Sequence, residues 1–133
     1  MKEEMIKCAY AAMKNAYAPY SKFRVGACVL CYDGSMFYGT NVENASYGLT
    51  NCAERTAIFS AIASGKKKAD IHSIAVVSES EHLITPCGAC RQVFSECLDP
   101  NTVIYLSNGK KEAQFKVKDL LPYPFSSEDI QHV

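Results

Sequence analysis

The sequence predicts an α/β fold of three layers, with helices on both faces of a mixed five-stranded sheet. Three observations carry that prediction. Apolar runs of helical and strand length alternate in the order helix, two strands, helix, strand, helix, two strands. Asp33-Gly34 and Asn108-Gly109 are strong turn signals, each set between two strand-like runs, so both ends of the sheet are hairpins. The middle of the chain reads as strand–helix–strand units, which demand parallel neighbours and cover both sheet faces.

Each element has its own warrant. Residues 2–17 place Ile6, Ala9, Tyr10, Met13, Ala16 and Tyr17 at helical spacing, and Pro19 ends that helix. Residues 23–32 are apolar and rich in small side chains, as in a buried strand, and residues 35–40 return as its hairpin partner. Asn, Ser and Gly dominate residues 41–51, which read as a loop. A second helix spans residues 52–64, with Ala57, Ile58, Ala61 and Ile62 on its apolar side and Gly65 as its stop. Residues 71–78 form a third strand, residues 87–98 a third helix carrying Val93, Phe94 and Leu98, and residues 103–106 and 113–117 the last two strands. A short helical turn over residues 118–121 precedes Pro122 and Pro124. Right-handed crossovers place the starts of the second and third helices at one edge of the sheet.

Composition narrows the function. At 133 residues the chain is expected to be a single domain over residues 1–133 with a proper core. Lys and Arg number 14, as do Asp and Glu, so no basic excess awaits nucleic acid. The one basic cluster, Lys66-Lys67-Lys68, follows Gly65 and reads as solvated charge at a helix C-terminus. No apolar run reaches the ~20 residues of a membrane span, and the N-terminus lacks the apolar stretch of a signal peptide. Seven irregularly spaced cysteines argue against a secreted disulfide scaffold and for a reducing, cytoplasmic location. Cys8, Cys28, Cys31 and Cys97 read as small core residues.

The remaining three cysteines carry chemistry. Thr50-Asn51-Cys52-Ala53-Glu54-Arg55 and Thr85-Pro86-Cys87-Gly88-Ala89-Cys90-Arg91-Gln92 each open a helix. A helix N-terminus favours thiolate, the metal-binding form of cysteine. Cys87 and Cys90 share one helix face, and three protein ligands are what a catalytic zinc keeps, leaving its fourth position open. Competing readings are an Asn51–Glu54 capping box, a Thr85-Pro86 helix start, a Cys-x-x-Cys redox pair and a structural zinc. The first three leave at least one of Cys52, Cys87 and Cys90 unexplained. A structural zinc needs a fourth ligand, and His72 and His82 lack ligand-like spacing. Three thiolates with Zn²⁺ sum to a net charge of about −1, which opposes ionisation of water at the metal. Arg55 and Arg91 are placed to offset it by donating to sulfur.

Those segments resemble the zinc-dependent nucleobase deaminases, whose signature is a ligand, one residue, a glutamate, then Pro-Cys-x-x-Cys. With Phe23-Arg24-Val25-Gly26-Ala27, Asn41-Val42-Glu43-Asn44-Ala45 and the Leu120-Leu121-Pro122 and Phe125 end, the chain is similar to small, homotetrameric cytidine deaminases of pyrimidine salvage. The resemblance implies a cytidine deaminase-like fold and one Zn²⁺ per subunit on Cys52, Cys87 and Cys90. It implies that Glu54 is the catalytic proton shuttle and Arg55 the charge compensator. Arg91 reads equally well as part of a structural ion pair. Substrate contacts are implied at Phe23, Asn41, Glu43, Ala45, Tyr47, Ala53 and Phe125, with Tyr47 and Phe125 reaching a neighbouring subunit's site. The expected reaction is hydrolysis of cytidine and deoxycytidine to uridine and deoxyuridine with release of ammonia. The expected partner is a small nucleoside, with neither nucleic acid nor membrane. Alternatives are a deaminase of another aminopyrimidine nucleoside, a nucleic-acid editor, and a non-catalytic zinc-binding module.

Overall fold

The computed structural model describes residues 1–131. Five strands form one sheet in the order β2-β1-β3-β4-β5, with β1 at Val25–Cys31, β2 at Met36–Thr40, β3 at Ile71–Ser78, β4 at Val103–Ser107 and β5 at Glu112–Lys116. β1 runs antiparallel to both β2 and β3, β3 pairs parallel with β4, and β4 antiparallel with β5. The mixed sheet expected from the sequence is therefore present, hairpins at its ends and a parallel pair inside. Both hairpin turns use a glycine in the left-handed region, Gly34 at φ 89° and Gly109 at φ 88°, as the Asp-Gly and Asn-Gly pairs require.

Helices α1 (Lys2–Met13), α2 (Ala53–Ala63) and α3 (Gly88–Cys97) cover the two faces. On one, Met5, Ala9 and Met13 of α1 pack on Cys28, Leu30, Ala75 and Val77. On the other, Ala57, Ile58 and Ala61 of α2 with Cys90 and Phe94 of α3 pack on Ala27, Val29, Ile74, Val76 and Ile104. Alternate residues of β1 and β3 thus serve opposite cores, which is why both strands read as continuous apolar runs. Short helices α4 (Val117–Leu120) and α5 (Ser127–Gln131) complete the chain.

Four local expectations need correction. α1 stops at Met13, because the amide of Tyr17 donates to Asn41 O and Glu43 N donates to Tyr17 O, a bridge that draws residues 14–17 off the helix. Ile62 is 44 % exposed and joins Phe59 on the outer side of α2. Val117 begins α4 rather than ending β5, since the Asp119 carboxylate accepts from the Lys116 amide and caps the turn. Cys8 and Cys97 are only half-buried, whereas Cys28 and Cys31 are core residues as expected.

Candidate active site

The site is assembled where α2 and α3 begin. The segment entering α2 is pinned before the helix starts. Val42 and Asn51 exchange backbone hydrogen bonds at 2.9 Å, so the loop closes on itself immediately before Cys52. Asn51 Nδ2 then donates to Thr56 Oγ1 at 3.0 Å, and Thr56 Oγ1 donates to Cys52 O at 3.1 Å. Cys52 and Cys87 occupy the N-cap positions of α2 and α3, with no side chain capping either helix. The capping-box and Thr85 N-cap readings therefore give way to helix starts whose free N–H groups face the site.

Those two helix starts bring the sulfurs of Cys52 and Cys87 to 3.8 Å. With Cys90 they make a group whose ligand atoms all lie within 4.8 Å of one another. Tetrahedral zinc with Zn–S bonds of about 2.3 Å separates its sulfurs by about 3.8 Å, so the thiol spacing fits that ion. Glu54 does not join this donor group. His72 packs edge-on against the Tyr32 ring and His82 is exposed in a loop, so neither enters the thiol cluster.

Electrostatics within the cluster follow from crowding. The neighbouring Cys90 thiol pulls the Cys52 pKa down to about 5, helped by the Arg55 guanidinium. The closeness of Cys52, with burial and the Glu54 charge, pushes Cys90 up. Thiols bind a divalent ion as thiolates, so metal binding at this cluster releases protons. Arg55 Nη2 donates to Cys52 Sγ at 3.2 Å, while its Nε is buried without a partner. Glu54 is 6 % exposed, and burial raises its carboxyl to about 7, with the charge of Cys52 adding to the rise.

A cleft of about 200 Å³ opens over this group, lined by Phe23, Asn41, Cys52, Ala53, Glu54 and Cys87 among others. Asn41 clamps its rim, accepting from Val25 N at 2.9 Å and donating to Phe23 O at 2.7 Å. Lys22, at φ 61°, turns the chain so that Phe23 enters the cleft. Glu43 and Tyr47 lie next door, in a depression shared with Tyr20, Ser21, Asn44 and Thr50. The Glu43 carboxylate folds back on Ser21, accepting from its hydroxyl and amide and from the Tyr20 amide, which lowers its pKa. Ala45 is exposed and lines neither cavity, and Phe125 lies on a separate surface with Pro122 and Tyr123. Of the expected substrate contacts, then, Phe23, Asn41 and Ala53 meet at the cleft, and the others do not reach it within one chain.

Sequence reasoning missed Ser78, Ile84 and Ser107, which also line the cleft. Ser78 and Ser107 end β3 and β4, and the carboxyl ends of parallel strands are where ligands bind in α/β sheets, so that signal was available. Arg91 takes neither role offered for it. Its Nε donates to Pro86 O at 2.7 Å and its Nη1 to Leu120 O at 3.0 Å, with no sulfur and no carboxylate as hydrogen-bond partner among the described residues.

Comparison with known proteins decides the family. Residues 1–107 match the model of the cytidine and deoxycytidylate deaminase zinc-binding region. The chain belongs to the cytidine and deoxycytidylate deaminase family. A cytidine deaminase of Halalkalibacterium halodurans is 48 % identical over 130 residues, 97 % of each chain. Among solved structures, cytidine deaminase from Burkholderia pseudomallei superposes with a TM-score of 0.91 at 49 % identity, covering 94 % of this chain and 99 % of that one. Cytidine deaminase from Mycobacterium tuberculosis superposes with a TM-score of 0.79 at 35 % identity, covering 94 % and 97 %. The family is zinc-dependent, and the three-thiol group is where this deaminase can hold the ion.

Proposed function

We propose that the protein hydrolyses cytidine and deoxycytidine to uridine and deoxyuridine, releasing ammonia. The observation that carries this reading is a buried Glu54 beside three convergent thiols at the floor of a base-sized cleft. When bound, zinc supplies Lewis-acid activation of water for attack on the ring carbon bearing the amine. Cys52, Cys87 and Cys90 hold the ion, and Arg55 offsets the thiolate charge. Burial raises the Glu54 carboxyl above the usual carboxylate range, which suits a group that both takes and gives protons. Glu54 takes a proton from the attacking water and delivers it to the pyrimidine ring nitrogen. It then takes a second from the hydroxyl so formed and delivers it to the departing ammonia. Phe23 packs on the base, and the free N–H groups at the start of α2, around Ala53, donate to it. Asn41 is held by two backbone bonds, yet Oδ1 retains a lone pair and Nδ2 a hydrogen for a ribose hydroxyl.

A nucleoside suits the cleft better than a nucleotide. Among the described residues no Lys or Arg lines it or the adjoining depression, whose one charged side chain is the Glu43 carboxylate. A phosphate there would meet a like charge and no guanidinium. We also propose one domain, a cytoplasmic location and a homotetramer with shared sites. Seven free cysteines support a reducing compartment. Tyr47 and Phe125, 78 % and 60 % exposed, support completion of each site by another subunit. The test measures zinc content and ammonia release with cytidine, deoxycytidine and deoxycytidine monophosphate. Zinc-dependent turnover of the nucleosides, with little on the nucleotide, is the expected result. Zinc without any ammonia would leave a metal-binding module and overturn the reading.

A further inference from the structure

We infer that Arg91 is a positioning residue for the metal ligand Cys87, and that it ties the metal loop to the C-terminal segment. The inference rests on the reading of Cys87 as a ligand. Residues 79–87, between β3 and α3, have no regular structure. At their start, Asn108 Nδ2 donates to Ser80 O and Glu81 O. Across residues 83–86 the bond from Arg91 Nε to Pro86 O is the one hydrogen bond among the described residues. Pro86 has no N–H, so its carbonyl is its only polar means of anchorage. That carbonyl belongs to the peptide leading directly into Cys87, which is itself exposed and lies at the helix start.

The other arm of the same guanidinium donates to Leu120 O, at the last residue of α4. A planar guanidinium fixes the directions of both bonds together, which a single ammonium cannot reproduce. The neighbouring Gln92 extends the tie, its Nε2 donating to Phe125 O at 2.8 Å. The start of α3 therefore grips residues 120–125, far away in sequence, one turn from the sulfur it aims at the metal.

Arg91→Lys and Arg91→Gln separate position from charge. Zinc release to an excess of chelator is measured by a colorimetric indicator, alongside the zinc content of the wild type and of Cys87→Ala. Loss of a group that orients a ligand typically weakens metal binding about 10–100-fold. Both Arg91 variants are expected to release zinc at least about tenfold faster, with lysine no better than glutamine. Wild-type release by both overturns the inference, and rescue by lysine alone makes Arg91 a charge rather than a clasp. If wild-type protein holds no zinc, or Cys87→Ala holds it fully, the ligand reading fails first. Should either variant not fold, the wild-type chain decides, because coupling between sites is reciprocal. Removing zinc should raise hydrogen exchange over residues 117–125 more than in α1, on the opposite face of the sheet. Equal changes in the two regions overturn the inference.

Discussion

The duties proposed for Glu54 and Cys87 are ones that substitution can separate. Glu54 lies outside the group of three thiols and is buried beside the cleft, so its amide isostere removes the proposed proton carrier and leaves the three thiols in place. Glu54→Gln is expected to retain zinc and the fold while losing on the order of 100-fold or more in turnover, read by metal analysis and ammonia release together. Near-normal turnover would remove Glu54 from the proton path. Cys87→Ala takes one of three sulfurs and leaves only Cys52 and Cys90 in the group. Zinc loss and abolished activity are expected, with a lowered melting temperature because metal binding and folding are linked. Full zinc occupancy in that variant would remove Cys87 from the ligand set. Phe23 behaves differently from both. Its carbonyl accepts from Asn41 Nδ2, so the amide proposed to face the sugar also fixes the rim where Phe23 enters the cleft.

Between elements, the position of the site depends on how closely α2 lies on β2. A Cβ added to Gly39 of β2 would stand 2.4 Å from Ala57 N and 2.7 Å from Ala53 O, both backbone atoms of α2. A Cβ on Gly26 would meet α1 instead, 2.0 Å from Ala9 O. Both alanine variants overpack, at a cost of about 1–3 kcal/mol or more. Only Gly39→Ala pushes on the helix that carries Glu54 and follows Cys52. Both are expected to melt earlier, and Gly39→Ala alone to release zinc faster than wild type. Equal zinc retention in the two would show that the α2–β2 contact does not set the ligand geometry. Asp33-Gly34, Asn108-Gly109 and the two ligand segments are local signals, complete within a few residues, and each was legible. The early end of α1, the Ser21–Glu43 contact and the Arg91–Leu120 clasp join residues far apart in the chain, and no local pattern encodes them. α5 was missed for another reason. Pro122 and Pro124 masked a brief helix that begins where the Asp129 carboxylate accepts from the Ser126 amide.

For the whole molecule, the expected contacts Tyr47 and Phe125 lie outside the cleft of their own chain. Phe125 is 60 % exposed and lies away from the cleft, although the Gln92 bond to its carbonyl fixes the backbone that presents it. A fixed backbone carrying an exposed aromatic suits insertion into another copy better than it suits solvent. Phe59 and Ile62 on the outer side of α2, and Leu49 at 70 % exposure, supply further apolar surface for such contact. Stacking of an aromatic on a base is worth about 1–3 kcal/mol where alanine replacement has been used in single-strand binders. Phe125→Ala is therefore expected to raise KM clearly, with zinc content unchanged because Phe125 is no ligand. Mixing decides which chain the aromatic serves. Phe125→Ala and Glu54→Gln chains are combined after mass analysis has established that subunits exchange. In a shared site, some mixed assemblies pair an intact Glu54 from one chain with an intact Phe125 from the other. Those sites should turn over cytidine with wild-type KM, a fraction that neither parent contains. If exchange occurs and every active site keeps the raised KM, Phe125 serves its own chain or only the fold, and the shared-site arrangement is wrong.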